Sequence, residues 1–536
     1  MVTYTRDLDE MGSRMIRTLN RRALLQRGAA MAALSIAGAC NAPVSAGRGK
    51  FGSYPFTLGV ASGDPVSDGF VIWTRLAPNP FDREALTDDA VNVIWEVASD
   101  EQMQNVVQKG IAAARKALAH SVHVEVRGLE SQRPYWYRFR IAGGDASPVG
   151  RAWVAPRVGS PLERLRFALT SCQHYEQGYF TPYVPMMSDR PDLIVHVGDY
   201  IYESSWGEQV RRHEGPVPYT LEEYRDRHAL YKTDPHLQAA HAYCPWLVTW
   251  DDHEVANDYQ GLDSEDWEDH DAFAKRRAGA YQAYYEHMPL RHIAVPRAAE
   301  MRLYQRSTFG DLIEFTLLDN RQYRSPEACR DADHGGGHMV TTAGCKDLID
   351  PTRSFIGKEQ ESWLFGNFAR AKAKWNAIAQ SQLFSQLKEK TPDGQDARWT
   401  EDWNGYPMAR DRIIQKIVQT KLPNPVILGG DIHSFWVNDV KSDFNDPNSA
   451  TVASEIVGTS LTSAGVPYET FAAMLPDNPH IKFFESRKRG YVMCEVTQSA
   501  FNSDLRIVDD IRDPNTKDGS LAKFTIEAGK PGAQKA

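Results

Sequence analysis

The chain has 536 residues, 42% of them hydrophobic and 24% charged, and a formal net charge of −9. That is the composition of an ordinary globular protein, long enough for more than one domain at roughly 100–200 residues each. The acidic balance excludes a general field attracting nucleic acid or anionic lipid. Six scattered cysteines with no C-x-x-C pair exclude a zinc ribbon or a dithiol redox motif.

At the N-terminus, Arg21 and Arg22 precede a small-residue apolar stretch from about Gly28 to Ala39, and Val44-Ser45-Ala46 follows as a cleavage-site pattern. The stretch is about a dozen residues long, short of the roughly 20 a spanning helix needs. Residues 1–46 therefore read as a twin-arginine export signal. Passage through the twin-arginine translocation machinery to the periplasm or medium is expected, with no transmembrane segment. An amphipathic or unstructured tail is the plain alternative. Cys40 in Ala37-Gly38-Ala39-Cys40 also partly matches a lipidation site, so cleavage and lipidation both stay open. An exported chain can keep disulfides. Cys329 and Cys345 bracket a Gly/His-rich loop and are the candidate pair, whose closure would contribute about 3 kcal/mol.

Residues 47–157 have an all-β texture. The segments 91–99, 121–129 and 134–142 alternate apolar and polar residues, are rich in aromatic and β-branched types, and are separated by turn signals. A small antiparallel sandwich of the immunoglobulin or fibronectin III kind is expected, with Pro156 and Gly159-Ser160-Pro161 as linker.

Residues 158–500 read differently. Strand-length apolar runs recur between helix-like segments, and several stop abruptly: RLRFALT at Ser171-Cys172-Gln173-His174, DLIVHV at Gly198-Asp199-Tyr200, CPWLVTW at Asp251-Asp252-His253, LIEFTLL at Asp319-Asn320-Arg321, and NPVIL at Gly429-Gly430-Asp431. Continuous apolar runs suit strands buried on both faces, and ligands of such sheets gather at the carboxyl ends of the strands. The five polar clusters are therefore expected to converge on one site. Residues 501–536 are charged, with few apolar residues after Ile511, and read as a C-terminal tail, either a lid or disordered.

Asp, His, Asn and Tyr in turns just past strands form a hard-metal ligand set. Two metals about 3.5–4 Å apart clamp an in-line displacement at phosphorus. Ser171-Cys172-Gln173, Gly198-Asp199-Tyr200-Ile201-Tyr202-Glu203, Asp251-Asp252-His253-Glu254 and Gly429-Gly430-Asp431-Ile432-His433-Ser434 resemble, in order, the motifs of the PhoD family of alkaline phosphatases, relatives of the purple acid phosphatases. The likeness continues through Gly59-Val60-Ala61-Ser62-Gly63-Asp64-Pro65, Trp73-Thr74-Arg75, Asp402-Trp403-Asn404-Gly405-Tyr406 and Arg489-Gly490-Tyr491.

The resemblance implies an α/β metallophosphoesterase sandwich core behind the β-domain, a centre holding Fe3+ and Ca2+, and small phosphate mono- and diesters as substrates, cleaved at alkaline pH by a metal-bound hydroxide. By the same resemblance Asp199 is the bridging carboxylate, Tyr202 the iron-binding phenolate and Cys172 a thiolate ligand. Asp252 binds the second metal, and Asp431 and His433 are the last ligands. His253 is the general acid or a phosphate donor.

Other residues keep two readings. Asn257 is a ligand or a supporting group, and Asp251 a ligand or an orienting one. Arg321 either grips a phosphate oxygen or pairs with Asp319 or a neighbour. Glu254 and Asp258 read more simply as solvated charge at a helix start, and His334 and His338 as solvated loop residues. A phospholipase D-like phosphodiesterase and a non-catalytic exported binding protein are the alternative functions.

Overall fold

Apolar runs that end in polar turns become strands buried on both faces: every residue of Leu193–Val197, Trp246–Thr249 and Pro425–Gly429 is buried. The computed structural model describes residues 51–536. The expected export signal and Cys40 lie outside the described residues.

Two sheets face each other. One has ten strands in the order Lys530–Lys535, Asp518–Glu527, Ala500–Val508, Arg489–Thr497, Arg164–Thr170, Leu193–Val197, Trp246–Thr249, Val60–Val66, Gly69–Arg75 and Ser121–Val126. The other has seven: Gln305–Phe309, Ile313–Leu317, Trp375–Ala379, Pro425–Gly429, Thr451–Val457, Phe435–Lys441 and Ile481–Glu485. Both are mixed, with parallel strands at the centre and antiparallel ones at the edges. Their inner faces share one core that includes Phe167, Leu169, Val195, Val197, Phe315, Leu317, Val426 and Leu428.

Helices cover the outer faces. Leu221–Lys232, Pro235–Tyr243 and His270–His287 bring Tyr224, Leu237 and Tyr281 into a core with Ile194 and Val248 of the ten-stranded sheet. On the other side, Lys358–Phe368 and Pro407–Thr420 bury Leu364, Ile413 and Ile417 with Ile378 and Ile427. The helix Leu221–Lys232 starts on a reciprocal capping box between Thr220 and Glu223, whose side-chain oxygens accept from two backbone N–H groups that a helix start otherwise leaves unpaired.

The N-terminal β-region forms a four-stranded antiparallel sheet, Val106–Arg115, Ala90–Ala98, Arg133–Ile141 and Gly150–Val154. Its inner residues Val93, Val97, Tyr137 and Phe139 pack on Phe70, Ile72 and Val126. Those three belong to strands that extend the ten-stranded sheet, joined to it where Gly63 pairs with Trp246. Residues 51–536 accordingly pack within one compact unit.

The expected lid or disordered tail beyond residue 500 is corrected. The strands Ala500–Val508, Asp518–Glu527 and Lys530–Lys535 close one edge of the large sheet. Phe501, Leu505, Phe524 and Ile526 point into the shared core, while the charged residues between them face outward. Alternation, rather than overall apolar content, carries the strand signal there.

Candidate functional site

The carboxyl ends of the central parallel strands meet where the two sheets adjoin. Five turns arrive there, and four of their residues take a left-handed backbone: Cys172 (φ 56°), Asp199 (φ 55°), Asp431 (φ 63°) and His433 (φ 50°). Non-glycine residues rarely adopt this conformation, and such strain concentrates at functional sites. Gly198 (φ 116°) has no room for a side chain, since a Cβ would lie 2.6 Å from the Cβ of Asp251. Gly430 likewise lets its turn close on Ser171, whose Oγ would sit 2.5 Å from an added Cβ.

The turns bring the donors into overlapping groups. One potential ligand atom from each of Cys172, Asp199 and His433 lies within 4.8 Å of the others, and the same holds for Asp199, Asp252 and His253 and for Asp251, Asp252 and Asp431. Tyr202 joins them: its hydroxyl donates to Asp199 Oδ2 (2.7 Å), stands 3.1 Å from His433 Nε2 and accepts from Ser463 Oγ (2.8 Å). His433 Nδ1 lies 2.8 Å from the Ala464 carbonyl, which can only accept, so Nδ1 carries the proton and Nε2 keeps a free lone pair toward the cluster. Burial, and then Arg489, holds the His433 imidazole neutral, with its pKa lowered to about 3.

The cluster suits a bound cation. Asp199 Oδ1, Asp251 Oδ2 and Asp252 Oδ1 are buried without a hydrogen-bond partner among the described residues, a costly state for carboxylate oxygens. Burial pushes Asp199 and Asp431 well above the usual carboxylate range, and neighbouring carboxylates push the same way. Burial, followed by Asp199 and Asp431, also raises the Cys172 thiol. A multivalent cation would reverse each of these penalties, because it favours the charged form of every donor around it.

His253 is the exception to the acid-rich surroundings. Burial alone would lower its pKa, but Glu203, Asp252 and Asp199 outweigh it and hold the imidazolium. Glu203 Oε2 lies 2.7 Å from His253 Nδ1, and Glu203 Oε1 accepts from the Asn257 backbone (3.0 Å). The His253 ring packs against Tyr202 with centroids 4.2 Å apart.

Several expectations are corrected. Arg321 does not reach outward for phosphate: it is wholly buried and paired with Asp251, with Asp252 (3.4 Å) and with Glu401 (2.6 Å). A neighbouring ion pair is formed, but not with Asp319, whose carboxylate caps its own turn by accepting from the backbone N–H groups of Arg321 and Gln322. Asp252 feels burial first, which opposes ionisation, but Arg321 and then His253 keep it below the ordinary range. Asn257 points away from the cluster and donates to Glu265 (2.7 Å).

Glu254 is not solvated. It is buried and accepts from the backbone N–H groups of Asp199 (3.2 Å), Tyr200 (2.6 Å) and Asp251 (2.9 Å), bolting two of the turns together. Asp258 is half-buried, with its own N–H on Asp252 Oδ2 (2.7 Å) and its carboxylate on the Gly337 N–H (2.7 Å). His338 is buried within its loop, Nδ1 3.0 Å from the Gly336 carbonyl, while His334 is exposed. Cys329 and Cys345 are disulfide-bonded.

Sequence reasoning missed Glu203, Glu401 and Ser381, whose hydroxyl donates to Asp251 Oδ1 (3.0 Å). Glu203 was within reach, since it stands four residues after Asp199 in the same turn. Glu401 and Ser381 follow no recognisable motif.

The fold and the cluster together define an α/β double-sheet protein with a buried group of potential metal ligands at its strand ends. The model of the PhoD-like phosphatase family matches residues 167–505, and that of the PhoD-like phosphatase N-terminal domain matches residues 41–156. The chain is similar to alkaline phosphatase D of Bacillus subtilis (strain 168), 41% identical over 531 residues that cover 97% of this chain and 89% of that protein. It is also similar to a solved structure described as that of PhoD, with a TM-score of 0.86 and 42% identity over 91% of this chain and 93% of that one. The chain belongs to the PhoD-like phosphatase family, and so to the enzymes that hydrolyse phosphoric esters.

Proposed function

We propose that the chain is an exported, metal-dependent phosphatase and phosphodiesterase that hydrolyses phosphate monoesters and diesters at alkaline pH. The observation carrying this reading is the set of buried carboxylates, thiol, phenol and imidazole that converge on strained turns, with Asp199 Oδ1, Asp251 Oδ2 and Asp252 Oδ1 left without a hydrogen-bond partner among the described residues. Cys172, Asp199, Tyr202 and His433 would hold one metal and Asp252 and Asp431 a second, with Asp199 between them. The family resemblance favours Fe3+ and Ca2+ in those places. When bound, such a pair supplies Lewis-acid charge neutralisation and an activated water.

The chain's own groups then have separate tasks. Glu203 holds His253 by Nδ1, which leaves Nε2 free to give a proton to the departing alkoxide or to hold a phosphoryl oxygen. Arg321 fixes Asp251 and Asp252 from behind, and Glu254 fixes the turns that carry Asp199 and Asp251. Residues 1–46 would direct export through the twin-arginine machinery. Residues 47–157 would form the immunoglobulin-like part and the metallophosphoesterase core would begin at residue 158 and take in the strands through Lys535, a first boundary that the change between the two family matches supports. Among the described residues no helix is long and apolar enough to cross a membrane.

The test is hydrolysis of a phosphate monoester and a diester by purified protein, with metal analysis before and after treatment with a strong chelator. Activity should fall with the metal and return when it is restored. A protein that stays fully active after its metals are stripped would sink the reading. A visible charge-transfer band, lost in Tyr202→Phe and Cys172→Ser, checks the proposed iron ligands.

A further inference from the structure

Beside the cluster lies an aromatic residue that neither the metal centre nor the core requires. Trp206 is half-buried, on the segment that follows Glu203. Its ring lies parallel to that of His433 (centroids 5.9 Å apart, planes 7° apart), edge-on to His174 (5.3 Å, 88°) and tilted to Tyr202 (6.3 Å). His174 and Tyr202 are buried, so the indole is the outward end of the stack.

The position of Trp206 is set by its backbone. Gln177 Nε2 donates to the Trp206 carbonyl (2.7 Å), while Gln177 Oε1 accepts from the N–H of Ala464, the residue whose carbonyl holds His433 Nδ1. Farther along, buried Glu176 accepts from Gln209 Nε2 (3.2 Å) and from the His213 N–H (2.7 Å). These bonds fix the segment without help from the indole ring. Among the described residues nothing accepts from Trp206 Nε1, so the ring offers an apolar face and a donor edge beside His433.

Building on the phosphatase reading, we propose that Trp206 is a specificity-determining residue that packs against the ester group of the substrate and favours planar, apolar alcohols such as aryl groups over small polar ones. With the proposed metals bound, the cluster would hold the phosphoryl group, and an ester substituent pointing outward would run along the His433–Trp206 wall. An aryl ring can stack on indole with a gain that a glycerol or methyl group cannot match, worth about 3- to 10-fold in binding.

Competitive inhibition separates binding from chemistry. Phenylphosphonate and methylphosphonate are compared as inhibitors of the metal-loaded wild type, Trp206→Ala and Trp206→Phe, with metal content measured on each. The expected result is that Trp206→Ala loses about 3- to 10-fold for phenylphosphonate and little for methylphosphonate, that Trp206→Phe restores most of the difference, and that all three hold the same metal. Equal weakening of both inhibitors, or loss of metal, would mean that Trp206 only supports His433 and would overturn the proposal, as would no change in either. If the wild type hydrolyses no phosphate ester, the phosphatase reading falls and this one with it. If the wild type is active and the inhibitor ratio stays fixed, only this one falls.

Discussion

At the residue scale, the proposed mechanism would use the pairing of Glu203 with His253 to separate proton handling from metal holding. His253 donates through Nδ1 to a carboxylate outside the acid cluster, so its removal should leave the donor set intact. His253→Ala is expected to lower kcat by about 10²- to 10⁴-fold, the usual value of a positioned acid, with metal content unchanged. Glu203→Gln keeps the shape but not the charge, and should cost a smaller factor of about 10 to 100. Steady-state kinetics with metal analysis checks both, and parallel loss of metal and activity in His253→Ala would assign it a structural task instead.

Arg321 makes a contrasting prediction at the same scale. It is buried with three carboxylates around it, so Arg321→Met strands their charge. Breaking a buried pair this way costs about 3–5 kcal/mol. The melting temperature should fall clearly, and the KM of any variant that still folds should barely move, because the side chain is wholly buried among its carboxylate partners. A large KM effect without destabilisation would restore the phosphate-gripping role.

At the element scale, the loop between Cys329 and Cys345 is tied to the centre by few but specific contacts. Gly337 donates to Asp258, whose own N–H holds Asp252. A Cβ at Gly336 would meet Asp258 Oδ2 at 2.8 Å, so the loop lies directly against that carboxylate. Opening the disulfide in Cys329→Ser/Cys345→Ser should cost about 3 kcal/mol, read as a lower thermal midpoint, and should weaken the site of Asp252 more than that of Cys172. Metal titration that shows both sites weakened alike would refute this path.

The elements also show why part of the molecule was legible in sequence. Buried strands are written as unbroken apolar runs, and their ends as abrupt polar turns, so Asp199, Asp252 and Asp431 stood out by position. Glu254 did not: a carboxylate two residues past Asp252 looks like helix-start charge until the fold brings the Asp199 and Tyr200 N–H groups onto it. Arg321 was visible as a charge just past a strand, but its partners lie some 70 and 80 residues away and only the packing of two sheets chooses them. The last three strands were hidden because one face of each is charged. Periodicity of two at Phe501, Ser503 and Leu505, and again at Ala522, Phe524 and Ile526, was the signal available.

For the whole molecule, buried histidines set a lower pH limit on stability. His196 and His228 are fully buried, and burial, aided at His228 by Lys232 and Arg227, lowers both pKa values to about 3. His241 and His287, in the same helix-covered layer, are pushed down by burial as well. None has a carboxylate partner, and both ring nitrogens of His228 lack any partner among the described residues. In the unfolded chain these groups titrate near 6.5. Because the folded values are lower, the unfolded state binds more protons as pH falls, and stability that is complete above about 6.5 drains away between 6.5 and about 3. Each pKa unit is worth about 1.4 kcal/mol per group, so two such histidines alone amount to several kcal/mol by pH 4. These histidines should therefore give the apparent melting temperature a downward slope as pH falls below about 6.5. The buried carboxyls of Glu254 and Asp402 oppose it, since their raised values of about 8 favour the folded state at low pH. Replacing His228 by Gln removes one titrating group and should flatten that acid slope, even if the variant is less stable at pH 8. An unchanged slope would place the acid limit elsewhere, in the release of metal as the donor groups of the cluster take up protons.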